Sequence, residues 1–468
     1  MNSARCFTHM PGPKPLPILG NSWRFALGKK PWRTSALDIT LWTLRALAGD
    51  GGAAKVAKLF GHPDLVFPFC ADETAQIYRK EDGMPHRAVA PCLKHYKQEL
   101  RKDFFGNEPG LIGVHGEPWS KFRSKVSKEL VAPEAARAAI PVLDAVTNDF
   151  IKRMETLVDS DRELPDDFLT ELYKWALESV GAWALGTRLG CLNDDDVEAK
   201  EIIRCIHGFF HSVPSLELSA PLWRLYATTA YKTYVEALDT FRAICLKRLT
   251  DKGVCATIAK KSGTKVATIL ALDLLLVGVD TTAAAAASTM YMLATNVRAQ
   301  ERLQTELDTF LPSNRTLTCK DLDKLPYLRA CVKETLRIKP VILGNGRCIQ
   351  TDAVISGYKV PKGSHVVFPH YIMSNDEKYF PSPQKYVPER WLRDNDVKQE
   401  LSCCPVSRLD KKEVIGCRYG GTQRISEQTL HRYNVSWNYC ELTYSVTPTY
   451  VPNEPLKFKL VPRNENVI

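Results

Sequence analysis

Regularly spaced cysteines are missing from this chain. It has fourteen cysteines in 468 residues, yet apart from the neighbours Cys403 and Cys404 none stand in C-x-x-C or similar close spacing. That excludes a disulfide framework and points to a reducing compartment. No long Gly/Ser-rich or Pro-rich linker interrupts the chain, so one large domain is favoured over a string of modules. A spanning helix needs about twenty apolar residues, and the one long candidate, Val266 to Asn296, carries Asp273 and Asp280. It reads as a buried helix of a soluble body. The first ten residues hold one arginine, Arg5, too little for a transit peptide, and lack the apolar core of a secretory signal. No internal repeat stands out, and aromatic and basic residues do not interleave as in nucleic-acid binders. What is present is ordinary: a net charge of +10, 44% hydrophobic and 25% charged residues, which excludes a disordered, fibrous or collagen-like chain.

The opening Pro11-Gly-Pro-Lys-Pro-Leu-Pro-Ile-Leu-Gly-Asn21 favours an extended backbone without helix or ladder bonding. Residues 1–25 are therefore expected to form a strap and 26–468 a single domain. From about 30 to 340 the pattern is mostly helical, with apolar residues recurring at three and four over Glu134–Thr156 and Asp166–Leu185, and strand alternation is scarce. Asp194-Asp-Asp196 suits the first turn of a helix, and Lys260-Lys-Ser-Gly-Thr-Lys265 reads as solvated surface. After Pro340, the runs on either side of Pro361 and Gly363 and the alternating Leu456-Lys-Phe-Lys-Leu460 predict short strands. The expected fold class is mainly α, a large helical body with small late β-sheets.

Gly278-Val-Asp-Thr-Thr282 places an aspartate and a glycine inside the long apolar helix, where both are unfavourable. Two readings stand. Gly278 marks a functional kink with Thr281 offering a hydroxyl and Asp280 relaying protons, or an exposed Asp sits beside a Thr bonded back to its own helix. Glu334-Thr-Leu-Arg337 puts opposite charges on one helix face. Pro388-Glu-Arg-Trp391 adds an arginine whose planar fork suits a buried Glu–Arg network. Each is weak alone.

In order and spacing, however, Asp280, Glu334 and Arg390, with the Pro-Gly-Pro start, resemble the cytochrome P-450 family over nearly the whole chain. Leu172-Tyr-Lys-Trp-Ala-Leu-Glu-Ser-Val180, Gly344-Asn-Gly-Arg347 and Tyr386-Val-Pro-Glu-Arg-Trp-Leu392 are similar to its mitochondrial class in insects. The resemblance implies the P-450 fold and heme b as cofactor. It implies that Asp280 and Thr281 deliver protons to dioxygen beside a groove opened at Gly278. Val277 stands where many relatives have Ala or Gly. It implies Glu334, Arg337 and Arg390 as a structural triad, and Trp119, Arg123 and Arg347 as partners of the heme propionates. Arg329 and Lys333, four apart on one helix face, match the docking positions for a small acidic iron–sulfur ferredoxin, itself served by a reductase. A lipophilic substrate, possession of a mitochondrial inner-membrane address on the matrix side and peripheral membrane contact are implied in the same way. Residues Leu111–His115, Phe209–Leu218 and Pro340–Leu343 are expected to contribute to the pocket.

The family's ligand motif, F-x-x-G-x-R-x-C-x-G, is absent. Val414-Ile-Gly-Cys-Arg-Tyr419 matches the family's C-I-G-R-R-F in part, with Val414 at the cysteine position, and valine cannot ligate iron. The alternatives are Cys417 recruited as the metal ligand, a segment altered by a misplaced splice junction or frameshift, or a catalytically impaired, heme-poor pseudoenzyme. Because Arg432-Tyr-Asn-Val-Ser-Trp437 resumes the family's pattern, the disturbance is local.

Overall fold

Why the chain folds as it does is clearest in its longest helix, where apolar residues face every direction and only a buried site suits them. The computed structural model describes residues 4–15, 21, 34–49, 52–56, 62–79, 84–87, 90–131, 133–193, 196–218, 220–249, 252–310, 324–392, 416–446, 449–453 and 455–463. The helices are α1 Thr34–Ala48, α2 Ala71–Arg79, α3 Pro91–His95, α4 Lys102–Phe105, α5 Gly116–Val131, α6 Pro133–Leu157, α7 Phe168–Leu185 and α8 Val197–Val213. There follow α9 Thr229–Lys247, α10 Gly253–Ser262, α11 Thr264–Ala294, α12 Val297–Phe310, α13 Pro326–Ile338, α14 His370–Ser374 and α15 Gly416–Arg432. A π-helical turn, Tyr96–Leu100, joins α3 to α4, and another, Pro214–Leu218, follows α8.

Local chemistry sets many of the ends. Asp196 caps α8 by accepting from the Ala199 amide at 3.0 Å, and Thr228 caps α9 by accepting from Tyr231 at 3.2 Å. α13 starts at Pro326, and Glu306 of α12 accepts from the Tyr327 and Leu328 amides at 2.7 and 2.9 Å. α11 is buried along nearly all its length and packs on α7, α10, α13 and α15. It is the one described helix long and apolar enough to cross a membrane, and it is the core helix instead.

The strands are β1 Ala53–Val56, β2 Leu65–Pro68, β3 Asn345–Cys348, β4 Ala353–Ile355, β5 Tyr358–Val360, β6 His365–Phe368, β7 Tyr433–Ser436, β8 Tyr444–Val446, β9 Tyr450–Pro452 and β10 Lys459–Pro462. One sheet has the order β1-β2-β6-β3; β4–β5, β7–β10 and β8–β9 are antiparallel pairs. β2 runs parallel to β6, Leu65 opposite His365, while β3 is antiparallel to it, Arg347 opposite Val366. Sheet structure is thus not only late: β1 and β2 come early and complete the late sheet. The tail strand begins three residues after the alternating run does, at Lys459, although Leu456 and Phe458 are fully buried.

One hydrophobic cluster extends from Leu41 to Leu460, and a second gathers Met10, Ala53, Val66, Tyr358 and Phe368 around the four-stranded sheet. Of the proline-rich segment, residues 11–15 and 21 are described, and Pro11 accepts from the Lys55 amide of β1 at 2.7 Å. The ten cysteines whose side chains are described are all free thiols.

Candidate active site

Midway along α11 two adjacent residues interrupt the burial. Val277 and Gly278 are half-buried, while Leu274–Leu276 and Val279–Ala294 are buried. The helix is not interrupted at Gly278: every residue from Thr264 to Ala294 is helical. Thr281 Oγ1 donates to the Val277 carbonyl at 2.7 Å, inside the turn where a break was expected. The glycine serves packing, since a Cβ there would come 3.1 Å from Val180 Cγ2 on α7. Asp280 is buried and accepts from Thr449 Oγ1 at 2.5 Å. The two readings of this motif therefore mix: the threonine bonds back to its helix, but the aspartate faces inward and ties α11 to the stretch before β9.

A second group forms at the start of α5. Trp119 is buried, with the guanidinium carbons of Arg123 and Arg87 at 4.9 and 5.3 Å from its ring centroid. His115 hydrogen-bonds the Arg87 backbone, and its ring lies 5.6 Å from that of His86. Burial and the neighbouring Lys94 and His86 lower its pKa. Its other ring nitrogen, Nδ1, is buried without a hydrogen bond. Arg347 in β3 is buried, donates to Asn345 Oδ1 at 3.1 Å and lies over the Tyr78 ring. The amide of the next residue, Cys348, donates to the His86 carbonyl at 2.7 Å, which joins β3 to the segment carrying Arg87. Burial, with Arg347 nearby, pushes the His370 imidazole down to about 3.

Glu334, Arg337 and Arg390 come together in the interior. Arg337 donates to both Glu334 oxygens at 2.9 Å, and Arg390 Nε, Val387 N and Trp391 Nε1 add contacts at 3.3, 3.1 and 2.9 Å. Arg337 also donates to the Ser374 and Pro383 carbonyls at 2.8 and 2.7 Å. Glu334 and Arg337 have no exposed side-chain surface. One carboxylate therefore fixes α13 to the loop around Val387–Trp391. On the outer side of α13, Arg329 and Lys333 are half-buried, with Lys333 Nζ 5.8 Å from the Trp391 ring. Nearby, a groove of about 480 Å³ is lined by Arg298, Arg302, Tyr327 and Glu389.

Residues 401–415, with Cys403, Cys404 and Val414, lie outside the described residues, as does the side chain of Cys417 in the first turn of α15. Residues 421–430 are all buried among α6, α7, α11, α12 and α13. The helix is polar as its sequence reads, but it is inside.

The family profile described as Cytochrome P450 matches residues 94–252 and 258–407. The chain belongs to the cytochrome P450 family. "Probable cytochrome P450 49a1" of Drosophila melanogaster is 45% identical, the match covering 99% of this chain and 84% of that protein. "Probable cytochrome P450 301a1, mitochondrial", from the same fly, is 37% identical over 97% and 87%. "Probable cytochrome P450 12b2, mitochondrial" is 31% identical over 98% and 90%.

Cytochrome P450 proteins bind heme b and are heme-thiolate monooxygenases. This P450 fits the propionate side of that group: Arg87 and Arg123 bring two guanidinium groups together over the Trp119 ring, donors that suit anionic oxygens. Arg87 and Thr449 were missed by sequence reasoning as members of the site, and His115 was named only as the end of the pocket segment Leu111–His115. His115 stands four residues before Trp119, a spacing that could have drawn attention to it. Thr449 is 169 residues from Asp280 and gave no signal.

Proposed function

We propose that this P450 inserts one atom of dioxygen into a C–H bond of a lipophilic substrate, using electrons from a small acidic iron–sulfur ferredoxin and its reductase on the matrix side of the mitochondrial inner membrane. The observation that carries the reading is the accessible patch at Val277–Gly278 with Asp280 and Thr281 directly beside it. When bound, heme supplies dioxygen activation and oxygen transfer. The chain supplies the rest. Asp280 Oδ2 can take up or release a proton through Thr449 Oγ1, and Thr281 Oγ1 offers a hydroxyl one residue on. Phe209, Leu216, Val341 and Leu343, all buried, provide apolar surface that suits a lipophilic molecule. Trp119, Arg123 and Arg347 would hold the propionates. Arg329 and Lys333 share one face and suit an acidic partner. The mitochondrial address is supported by two of the relatives, whose names carry it.

A second reading, a heme-poor chain that keeps the fold, draws on the composition of α15. Thr422 Oγ1, Gln423 Nε2, Arg424 Nε, Ser426 Oγ, Gln428 Oε1 and Thr429 Oγ1 are buried there without hydrogen bonds, an expensive way to fill a core. Expression of the full chain with added heme, reduction and a carbon-monoxide difference spectrum separate the two. A thiolate-type Soret band supports the monooxygenase, and its loss in Cys417→Ser would assign the ligand. No heme uptake, or a band without thiolate character, overturns it in favour of the second reading.

A further inference from the structure

A buried ion pair lies two helical turns from Asp280 and plays no part in the site so far. Lys97, from the π-helical turn Tyr96–Leu100, and Asp273 of α11 are 3% and 4% exposed. Lys97 Nζ donates to Asp273 Oδ1 at 2.7 Å and to the carbonyls of Pro109 and Ile112 at 3.2 and 3.1 Å. Asp273 Oδ2 accepts from the amides of Leu111 and Ile112 at 2.6 and 3.3 Å. Gly110, at φ +81°, lets the loop turn around the pair, and a Cβ there would run into Asp273 Oδ2 and lie 2.9 Å from Lys97 Nζ. Four backbone groups of residues 109–112 thus end on two side chains. Buried opposite charges hold their place only when their remaining hydrogen-bonding capacity is met, and here the loop meets it. Asp273 and Val277 are four apart on α11 and so share a face, which sets the loop beside the half-buried patch at Val277–Gly278.

We propose that Lys97 and Asp273 are positioning residues that latch segment 109–113 onto α11 as the roof of the cavity at Val277–Gly278, and so control how fast an apolar molecule enters. This rests on reading that patch as the substrate cavity. A structural pair of no further consequence would stabilise α11 and the loop alike; a latch releases the loop alone.

The test uses the full chain, with site-resolved amide exchange and stopped-flow uptake of the apolar dye Nile red. Val277→Trp, which fills the patch, should abolish uptake and so locate the dye. Lys97→Met keeps the aliphatic stem and removes the charge. It should speed exchange at Leu111 and Ile112 by about tenfold or more while the α11 amides beyond Ala283 stay protected, and dye uptake should quicken several-fold. Gly110→Ala leaves both charges in place and displaces the loop sterically; it should give the same pattern, and decides the matter where Lys97→Met does not fold. Exchange rising equally along α11, or a loosened loop with unchanged dye uptake, overturns the proposal. Failure of the unaltered chain to take up dye overturns the cavity reading and the role in entry with it. That outcome is told apart from failure of the latch because the loop amides still loosen in Lys97→Met.

Discussion

Glu334 and Glu201 are both followed three residues later by arginine, yet the two pairs differ entirely in consequence. Glu201–Arg204 lies on the surface, its side chains 32% and 68% exposed, whereas Glu334–Arg337 is sealed inside with Arg390 and Trp391 on the same carboxylate. Spacing alone cannot separate them, because i,i+3 geometry is the same at any depth; only the distant Pro388–Trp391 segment marks which one is buried. Removing the charge at Glu334 leaves two guanidinium groups buried without it. Glu334→Gln should therefore lower unfolding free energy by about 3–5 kcal/mol, read from the urea midpoint at constant slope. Glu389→Gln, which breaks a 2.7 Å pair with the half-exposed Arg302, should cost less than about 1 kcal/mol. Equal losses at both positions would show that burial of the Glu334 network is not what gives it weight.

At the level of elements, α15 is where sequence and surroundings disagree. Its buried stretch holds Arg424 between Asp144 and Glu427, with Gln428 donating to Asp144 at 2.6 Å, and leaves three hydroxyls, those of Thr422, Ser426 and Thr429, without partners. Replacing them by Val, Ala and Val should stabilise the chain by about 1 kcal/mol apiece, seen as a rise in thermal midpoint; destabilisation would mean that the hydroxyls are satisfied in solution. Burial raises the Glu427 carboxyl to about 8 against the pull of Arg424. Its folded pKa lies above the unfolded value near 4.5, so the native state holds the proton more tightly. Stability from this group is complete below about pH 4.5 and is lost as pH rises toward 8. Glu427→Gln should remove that slope from the pH dependence of urea unfolding. Long helices were the legible ones: the recurrence at three and four over Glu134–Thr156 and the continuous apolar run Val266–Asn296 anticipate α6 and α11 to within two residues at each end. β1 and β2 were not, because Ala-Ala-Lys-Val and Leu-Val-Phe-Pro are four residues each, mostly buried, and show no alternation to count.

Over the whole molecule the surplus of positive charge is +10, and a net charge attracts any acidic partner without saying where it lands. In the proposed docking, position would come from Arg329 and Lys333, which α13 presents on one face while Glu334 anchors the same helix from within. If docking is local, reversing one of these charges must do more than change the total. Lys333→Glu takes the net charge from +10 to +8, and so does Lys362→Glu on the exposed turn between β5 and β6. Titration with a mitochondrial-type ferredoxin at low ionic strength should show about tenfold weaker binding for Lys333→Glu and little change for Lys362→Glu. The difference should shrink as salt shortens the screening length below about 10 Å. Equal weakening in both would assign the attraction to net charge alone, and unchanged affinity for Lys333→Glu at low salt would remove α13 as the docking face. A charge pair on a helix is visible in sequence; that its helix is braced from behind by a buried carboxylate is visible only in the fold.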